Sequence, residues 1–273
     1  GRTAFSLSLA RDAAVEFGGG VACFSLEMTD MELTDRLIAS ESGISADKLK
    51  GKVKMNPEEW VVLEQSIKRL VKAPLYIDET PGITLTEFTA KAKRLVREKG
   101  VKIIFVDYLQ LMHSGKPQQG GFSKVQEVTE ISNTLKTTAK DLKVPIIALA
   151  QLNRNLMSRA GSNGKPVLSD LKDSGSIEQD ADMVIFIHRP GMVGMSEDLT
   201  EAEILIAKNR SGKVGSIEMK YNGDLVRFED VAPFYESMMN AEPKPAQPVQ
   251  KQNPAPAYDP TIPPPPSYNP FDE

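Results

Sequence analysis

The sequence predicts an α/β fold, a mostly parallel sheet flanked by helices that finishes with antiparallel strands at its carboxyl end. Three observations predict it. As far as Ala150, short apolar runs suited to buried strands alternate with segments of helical spacing. Between the runs stand paired helix-opening residues such as Thr29 with Glu32. Beyond the polar stretch 151–180, strand-like runs follow one another directly, and Asn222-Gly223 between the last two is a hairpin signal.

The elements follow in order. Residues 4–17 read as a helix and 21–26 (VACFSL) as a strand. Thr29 and Glu32 then form a capping box for a helix through Ile38. Asn56-Pro57 opens a second, with Trp60, Leu63, Ile67 and Leu70 on its apolar side. Residues 75–78 are a short strand, and Thr84 with Glu87 caps a helix that Gly100 stops. Residues 101–106 are a strand, Ser123 and Gln126 cap the next helix, and 144–150 is the strand after it. Strands at 183–188, 202–208, 215–221 and 224–228 complete the fold.

Composition narrows the function. With 33 basic against 37 acidic residues the formal charge is −4, which excludes a broad basic coating for nucleic acid or anionic membrane but leaves room for local contacts. A single cysteine, Cys23, excludes an internal disulfide and any cysteine-built metal cluster, and fits a cytoplasmic location. No run approaches the roughly 18 apolar residues of a membrane span, so no membrane partner is expected. Eleven of the 19 prolines fall within 243–273. That divides the chain into a folded domain, 1–231, and a proline-rich disordered tail, 232–273, which reads either as a docking segment or as a solvated extension. The chain begins at Gly1, not Met, and reads as an amino-terminally truncated fragment.

In open α/β sheets ligands bind at the carboxyl ends of the strands. Glu27, Asp107 and Gln151 each end an apolar run there. An acid after four apolar strand residues suits Mg2+, a hard cation that prefers oxygen ligands. A second carboxylate on a neighbouring strand can deprotonate an attacking water, and a neutral amide can sense a phosphate without repelling it. Gly1-Arg2-Thr3, opening a helix, matches the last three positions of a phosphate loop, except that Arg2 stands where that motif has Lys. Arg keeps the charge but is larger and forked.

The segments Phe24-Ser-Leu-Glu-Met28, Val106-Asp-Tyr-Leu-Gln-Leu-Met112, Ala150-Gln-Leu-Asn-Arg154, Leu168 through Asp182 (LSDLKDSGSIEQDAD) and Ile206-Ala-Lys-Asn-Arg-Ser-Gly212 occur in this order. Together they resemble the carboxyl-terminal motor domain of the DnaB-type replicative DNA helicases, hexameric ATPases of RecA-like P-loop NTPase fold. The resemblance runs from Gly1 to about Asp230 and implies that the first strand and most of the phosphate loop are missing.

The resemblance also implies roles. Gly1, Arg2 and Thr3 belong to the phosphate loop, with Thr3 a ligand of Mg2+. Glu27 matches the catalytic base, and Arg36 the residue that packs on the nucleotide base. Asp107 matches the Mg2+-associated aspartate and Gln151 the phosphate sensor. Lys208 and Arg210 match the pair that reaches a neighbouring subunit's nucleotide, Arg210 as the arginine finger. Lys172, Asp173 and Gly175 match positions that touch the backbone of single-stranded DNA, in a polar loop. The implied substrate is ATP with Mg2+, the implied assembly a homo-hexamer on single-stranded DNA with 5'-3' movement, and the implied partners a primase and a helicase loader. Two other readings stay open: a recombinase-type RecA-like ATPase, and a non-catalytic remnant or assembly module.

Other features read more plainly. Lys91, Lys93, Arg94, Arg97 and Lys99 form a solvated basic face, Met28, Met31 and Trp60 pack in a core or interface, and Cys23 is a buried small hydrophobe.

Overall fold

The computed structural model describes residues 1–115, 123–152 and 164–231, without the side chains of 172–174. Helix α1 (Arg2–Arg11) runs into a turn of π-helix, Asp12–Glu16. Strand β1 (Gly20–Ser25) follows, then α2 (Asp30–Ser42), α3 (Ala46–Leu49), α4 (Pro57–Lys72), β2 (Leu75–Asp78), α5 (Leu85–Lys99), β3 (Val101–Asp107), α6 (Lys124–Leu142) and β4 (Ile146–Ala148). The remainder holds α7 (Gly175–Asp180), β5 (Met183–His188), β6 (Glu201–Asn209), β7 (Gly215–Asn222) and β8 (Arg227–Asp230).

Local chemistry sets the helix ends. Full capping boxes open α2 (Thr29 with Glu32), α4 (Asn56 with Glu59) and α6 (Ser123 with Gln126), each satisfying two backbone N–H groups that the helix cannot. The Thr84 hydroxyl accepts from the Glu87 N–H to open α5, and Gly100, at φ 65°, closes it. At the start of β1 a side chain on Gly20 would meet the Gly100 carbonyl oxygen at 2.7 Å, so only glycine lets the two backbones pass.

The strands form two sheets of four. The first is parallel, in the order β2-β1-β3-β4, with Ser25 beside Asp107 at the carboxyl end. It is buried on both faces. Ala22 and Phe24 join Ile104, Phe88 and Ile131 on one side, while Val21, Cys23 and Phe105 pack on Ala10 and Ala14 on the other. The Phe24 and Phe88 rings meet edge to face, 4.8 Å between centroids. The second sheet is antiparallel, β5-β6-β7-β8, and packs Ala202, Ile204 and Phe228 against Ala4 of α1. Burial pushes the Cys23 thiol up to about 12, reinforced by the nearby Asp107 charge, so it behaves as an inert apolar group.

The structure corrects several expectations. The hairpin does not turn at Asn222-Gly223. Asn222 pairs with Arg227 across a connection of residues 223–226, where the Asn222 side chain accepts from the Leu225 N–H. A two-residue turn would have set Phe228 opposite Ile217. The observed register sets it opposite Tyr221, where its ring meets Phe5 edge to face at 5.3 Å and Tyr221 at a tilt at 5.1 Å, so aromatic packing overrides the local turn signal.

The loop expected over 168–182 is helical, a 3₁₀ segment Leu168–Ser174 followed by α7, because Leu168 and Leu171 fold against Val184 and Phe186. Strand β4 is shorter than 144–150, since the Val144 N–H still bonds the end of α6 at Ala139. Trp60 and Met31, read as core or interface residues, are 56% and 73% exposed and so lie outside the core of the chain, where α4 buries Leu63 and Ser66. Lys91 is half-buried in an ion pair with Asp78 at 2.8 Å and so departs from the solvated basic face. The tail, 232–273, lies outside the described residues.

Candidate functional site

The carboxyl ends of β1 and β3 face the amino-terminal end of α1. A small cavity between them is lined by Thr3 and Ser6 of α1, by Ser25, and by Asp107. Asp107 is 8% exposed, and its Oδ1 has no hydrogen-bond partner. A buried carboxylate oxygen left without a donor is costly, and sites where it persists are those that acquire a cation or donor from a ligand. The first N–H groups of α1 are likewise free of helical partners and carry the positive end of its dipole.

Positive charge gathers at the same helix end. Arg189, Arg2 and Arg36 all lie within electrostatic reach of Gly1, and so does Asp107. Arg2 sets its guanidinium 5.2 Å above the Tyr108 ring and leaves Nη1 buried without a partner. Arg36 is half-buried on α2. These N–H groups, guanidiniums and the orphaned carboxylate match a polyphosphate carrying Mg2+, with oxygen anions for the cations and a hard cation for the acid.

Glu27 stands exposed in the turn after β1 and makes no hydrogen bond or ion pair with another described residue, so its carboxylate is unencumbered. Gln151 is exposed beyond β4. Its peptide is gripped by one side chain: Gln110 donates from Nε2 to the Gln151 carbonyl and accepts the Gln151 N–H at Oε1, both at 3.3 Å. The structure therefore draws Gly1, Arg2, Thr3, Arg36 and Asp107 into one place, with Glu27 and Gln151 on neighbouring strand ends.

Lys208 and Arg210 lie elsewhere. Lys208 donates to the Glu178 and Gln179 carbonyls, and Arg210 to Gln179 and Asp182, with no bond joining either to the helix end or the acids. Gly175 opens α7, and the Lys172 and Asp173 side chains lie outside the described residues.

Sequence reasoning missed Arg189 and Gln110. Arg189 follows the apolar strand β5, and its guanidinium stacks on Tyr221 at 4.0 Å. The rule that singled out Glu27 and Asp107, a polar residue closing an apolar run, stops on β5 at His188, one residue short of it. Gln110 sits inside the Val106 to Met112 segment, where nothing local announces a partner 41 residues away.

A parallel sheet whose polar strand ends face a cationic helix terminus is the arrangement of the RecA-like α/β fold. The chain belongs to the family of DnaB-like helicase carboxyl-terminal domains, whose model matches residues 1–230. It is 40% identical over 230 residues to the replicative DNA helicase DnaB of Geobacillus stearothermophilus, covering 84% of this chain and 49% of that protein. It is also 40% identical over 230 residues to the replicative DNA helicase DnaC of Bacillus subtilis strain 168, with the same coverage. A solved DnaB-like replicative helicase, described with its interactions with primase, superposes at a TM-score of 0.77 with 31% identity, covering 85% of this chain and 55% of that one. The chain thus spans about half the length of these relatives.

Proposed function

We propose that residues 1–231 are the ATPase motor of a ring-forming replicative DNA helicase, which hydrolyses ATP at subunit boundaries to move along single-stranded DNA. The observation that carries the reading is the buried Asp107 with its unpartnered oxygen, sharing a cavity with Thr3 in a chain of this family. Thr3 and Asp107 would hold Mg2+, which supplies charge neutralisation at the phosphate oxygens when bound. The α1 N–H groups and Arg2 bind the phosphates, and Arg36 packs on the base. Glu27 takes the proton of a water whose oxygen bonds the terminal phosphorus as the bond to ADP breaks. Gln151 hydrogen-bonds the terminal phosphate, and its position is set by the Gln110 grip. Lys208 and Arg210 serve the neighbouring subunit's nucleotide.

Lys172, Asp173 and Gly175 contact the DNA backbone. One such contact per subunit, repeated in a homo-hexamer, needs no basic protein overall. The direction of movement, 5'-3', a primase and a loader as partners, a cytoplasmic location and a disordered tail over 232–273 belong to the same reading.

The test is DNA-stimulated ATP hydrolysis by the full-length gene product. Glu27→Gln and Arg210→Ala each abolish it, and mixing the two variants restores part of it, because each supplies what the other lacks. Full activity in either variant alone overturns the roles. Failure of the wild-type protein to bind ATP by calorimetry would favour an assembly module instead.

A further inference from the structure

Two cations of the antiparallel sheet close on one end of a short helix. Lys208 donates from Nζ to the Glu178 carbonyl at 2.6 Å and to that of Gln179 at 3.3 Å. Arg210 donates from Nη2 to the same Gln179 oxygen at 3.2 Å, pairs through Nη1 with Asp182 Oδ1 at 3.4 Å, and sends its own N–H to the Asp182 carbonyl at 2.9 Å. These carbonyls close α7, where a helix leaves acceptors unpaired and its dipole is negative. Asp182 Oδ2 is held in turn by Lys136 of α6, whose hydrogen bond keeps that carboxyl below the usual range.

The Asp182 and Arg210 side chains are 63% and 56% exposed. Ion pairs so open to solvent add little to stability, so two cations on the end of α7, with Lys136 holding Asp182 beside them, call for a role other than folding. At its opposite end α7 begins at Gly175, directly after the 3₁₀ segment Leu168–Ser174. Six helical residues make a rod about 9 Å long, too short to bend, so a displacement at Gly175 is delivered to the carbonyls at the far end.

We propose that Asp182 is a positioning residue for Arg210. With the end of α7, which also holds Lys208, it keeps the guanidinium in place and ties it to the segment that begins at Leu168. The proposal rests on the reading of Lys208 and Arg210 as serving a neighbouring subunit's nucleotide and of Lys172 and Gly175 as touching DNA. It identifies α7 as the part through which a DNA strand in one subunit sets the reach of the cations toward the next.

The experiment uses the full-length gene product with a thymidine oligonucleotide as the DNA. Asp182→Ala lowers DNA-stimulated kcat about a hundredfold, the scale set by small misplacement of a catalytic group, and leaves KM for ATP unchanged. Asp182→Glu recovers part of the rate. Mixing Asp182→Ala with Glu27→Gln also recovers part of it, because Asp182→Ala subunits keep their base and Glu27→Gln subunits keep a held finger; a defect confined to folding would give no such recovery.

A second measurement needs no turnover. In nucleotide-free protein, amide hydrogen exchange across residues 175–182 speeds up in both Asp182→Ala and Arg210→Ala. Unchanged exchange in both, or a wild-type rate in Asp182→Ala while Arg210→Ala is inactive, overturns the proposal alone. A wild-type rate in Arg210→Ala instead overturns the reading beneath it.

Discussion

The two sheets treat charge in opposite ways. At the end of the parallel sheet Asp107 keeps an unpartnered buried oxygen and Glu27 stands free of any described partner. Around the antiparallel sheet several cations are engaged: Lys208 and Arg210 at the end of α7, Lys165 against Glu203 at 2.7 Å, and Arg189 on Tyr221 and the Leu199 carbonyl. The contrast teaches a division of labour. One half keeps charged groups that a ligand of opposite charge can engage, and the other keeps several of its cations bonded to its own carbonyls and acids.

The strongest way to break that comparison is to remove a held cation. Arg210→Ala is expected to lower DNA-stimulated kcat by about 10³ to 10⁵, and steady-state phosphate release measures it. A loss below tenfold would make the arginine a structural tie and dissolve the division. Next, Phe228→Ala should cost about 3–5 kcal/mol by urea denaturation, because the ring is 7% exposed between Phe5 and Tyr221 and joins the antiparallel sheet to α1.

Asp107→Asn sharpens the contrast from the other side. Without ligand it is expected to leave stability nearly unchanged, since the amide keeps the size and shape of the side chain, while Mg2+-dependent ATP affinity falls. Thermal denaturation and calorimetry report the two. A variant that lost stability would mean the carboxylate has a partner in the fold.

The smallest effect is set by His188, 4% exposed, whose pKa burial lowers from 6.5 although Glu203 pulls it up. The folded state therefore holds His188 neutral while the unfolded chain takes up a proton near 6.5. The contribution to stability is fully present above that pH and is lost as pH falls below it toward the lowered folded value. Denaturation at pH 7.5 and 5.5, in about equal steps around the unfolded value, should show the decline in wild type and a flatter profile in His188→Gln.

Much of this was legible beforehand because the signals were local. Three capping boxes, the αL glycine after α5 and the apolar runs of β1, β3 and β5 lie within a few residues of what they specify. The strand-end rule found Glu27, Asp107 and Gln151 for the same reason. What failed was decided at a distance. The hairpin register answered to Phe5, more than 200 residues from its partner Phe228. The 168–180 stretch, polar in composition, is helical because Leu168 and Leu171 have an apolar strand to fold on. The Gln110 grip and the α7 bay for Lys208 and Arg210 join residues that share no period or spacing.

The split into two sheets has a consequence for handling the protein. Among the described residues β4 pairs only with β3 and β5 only with β6, so each is an edge strand of its sheet. Met183 and Ile185 of β5 are 46% and 43% exposed, and neither β4 nor β5 carries a lysine or proline to discourage a second strand. Bare edges of this kind template backbone pairing between molecules. A charge placed at position 185 is therefore expected to raise the solubility of the chain.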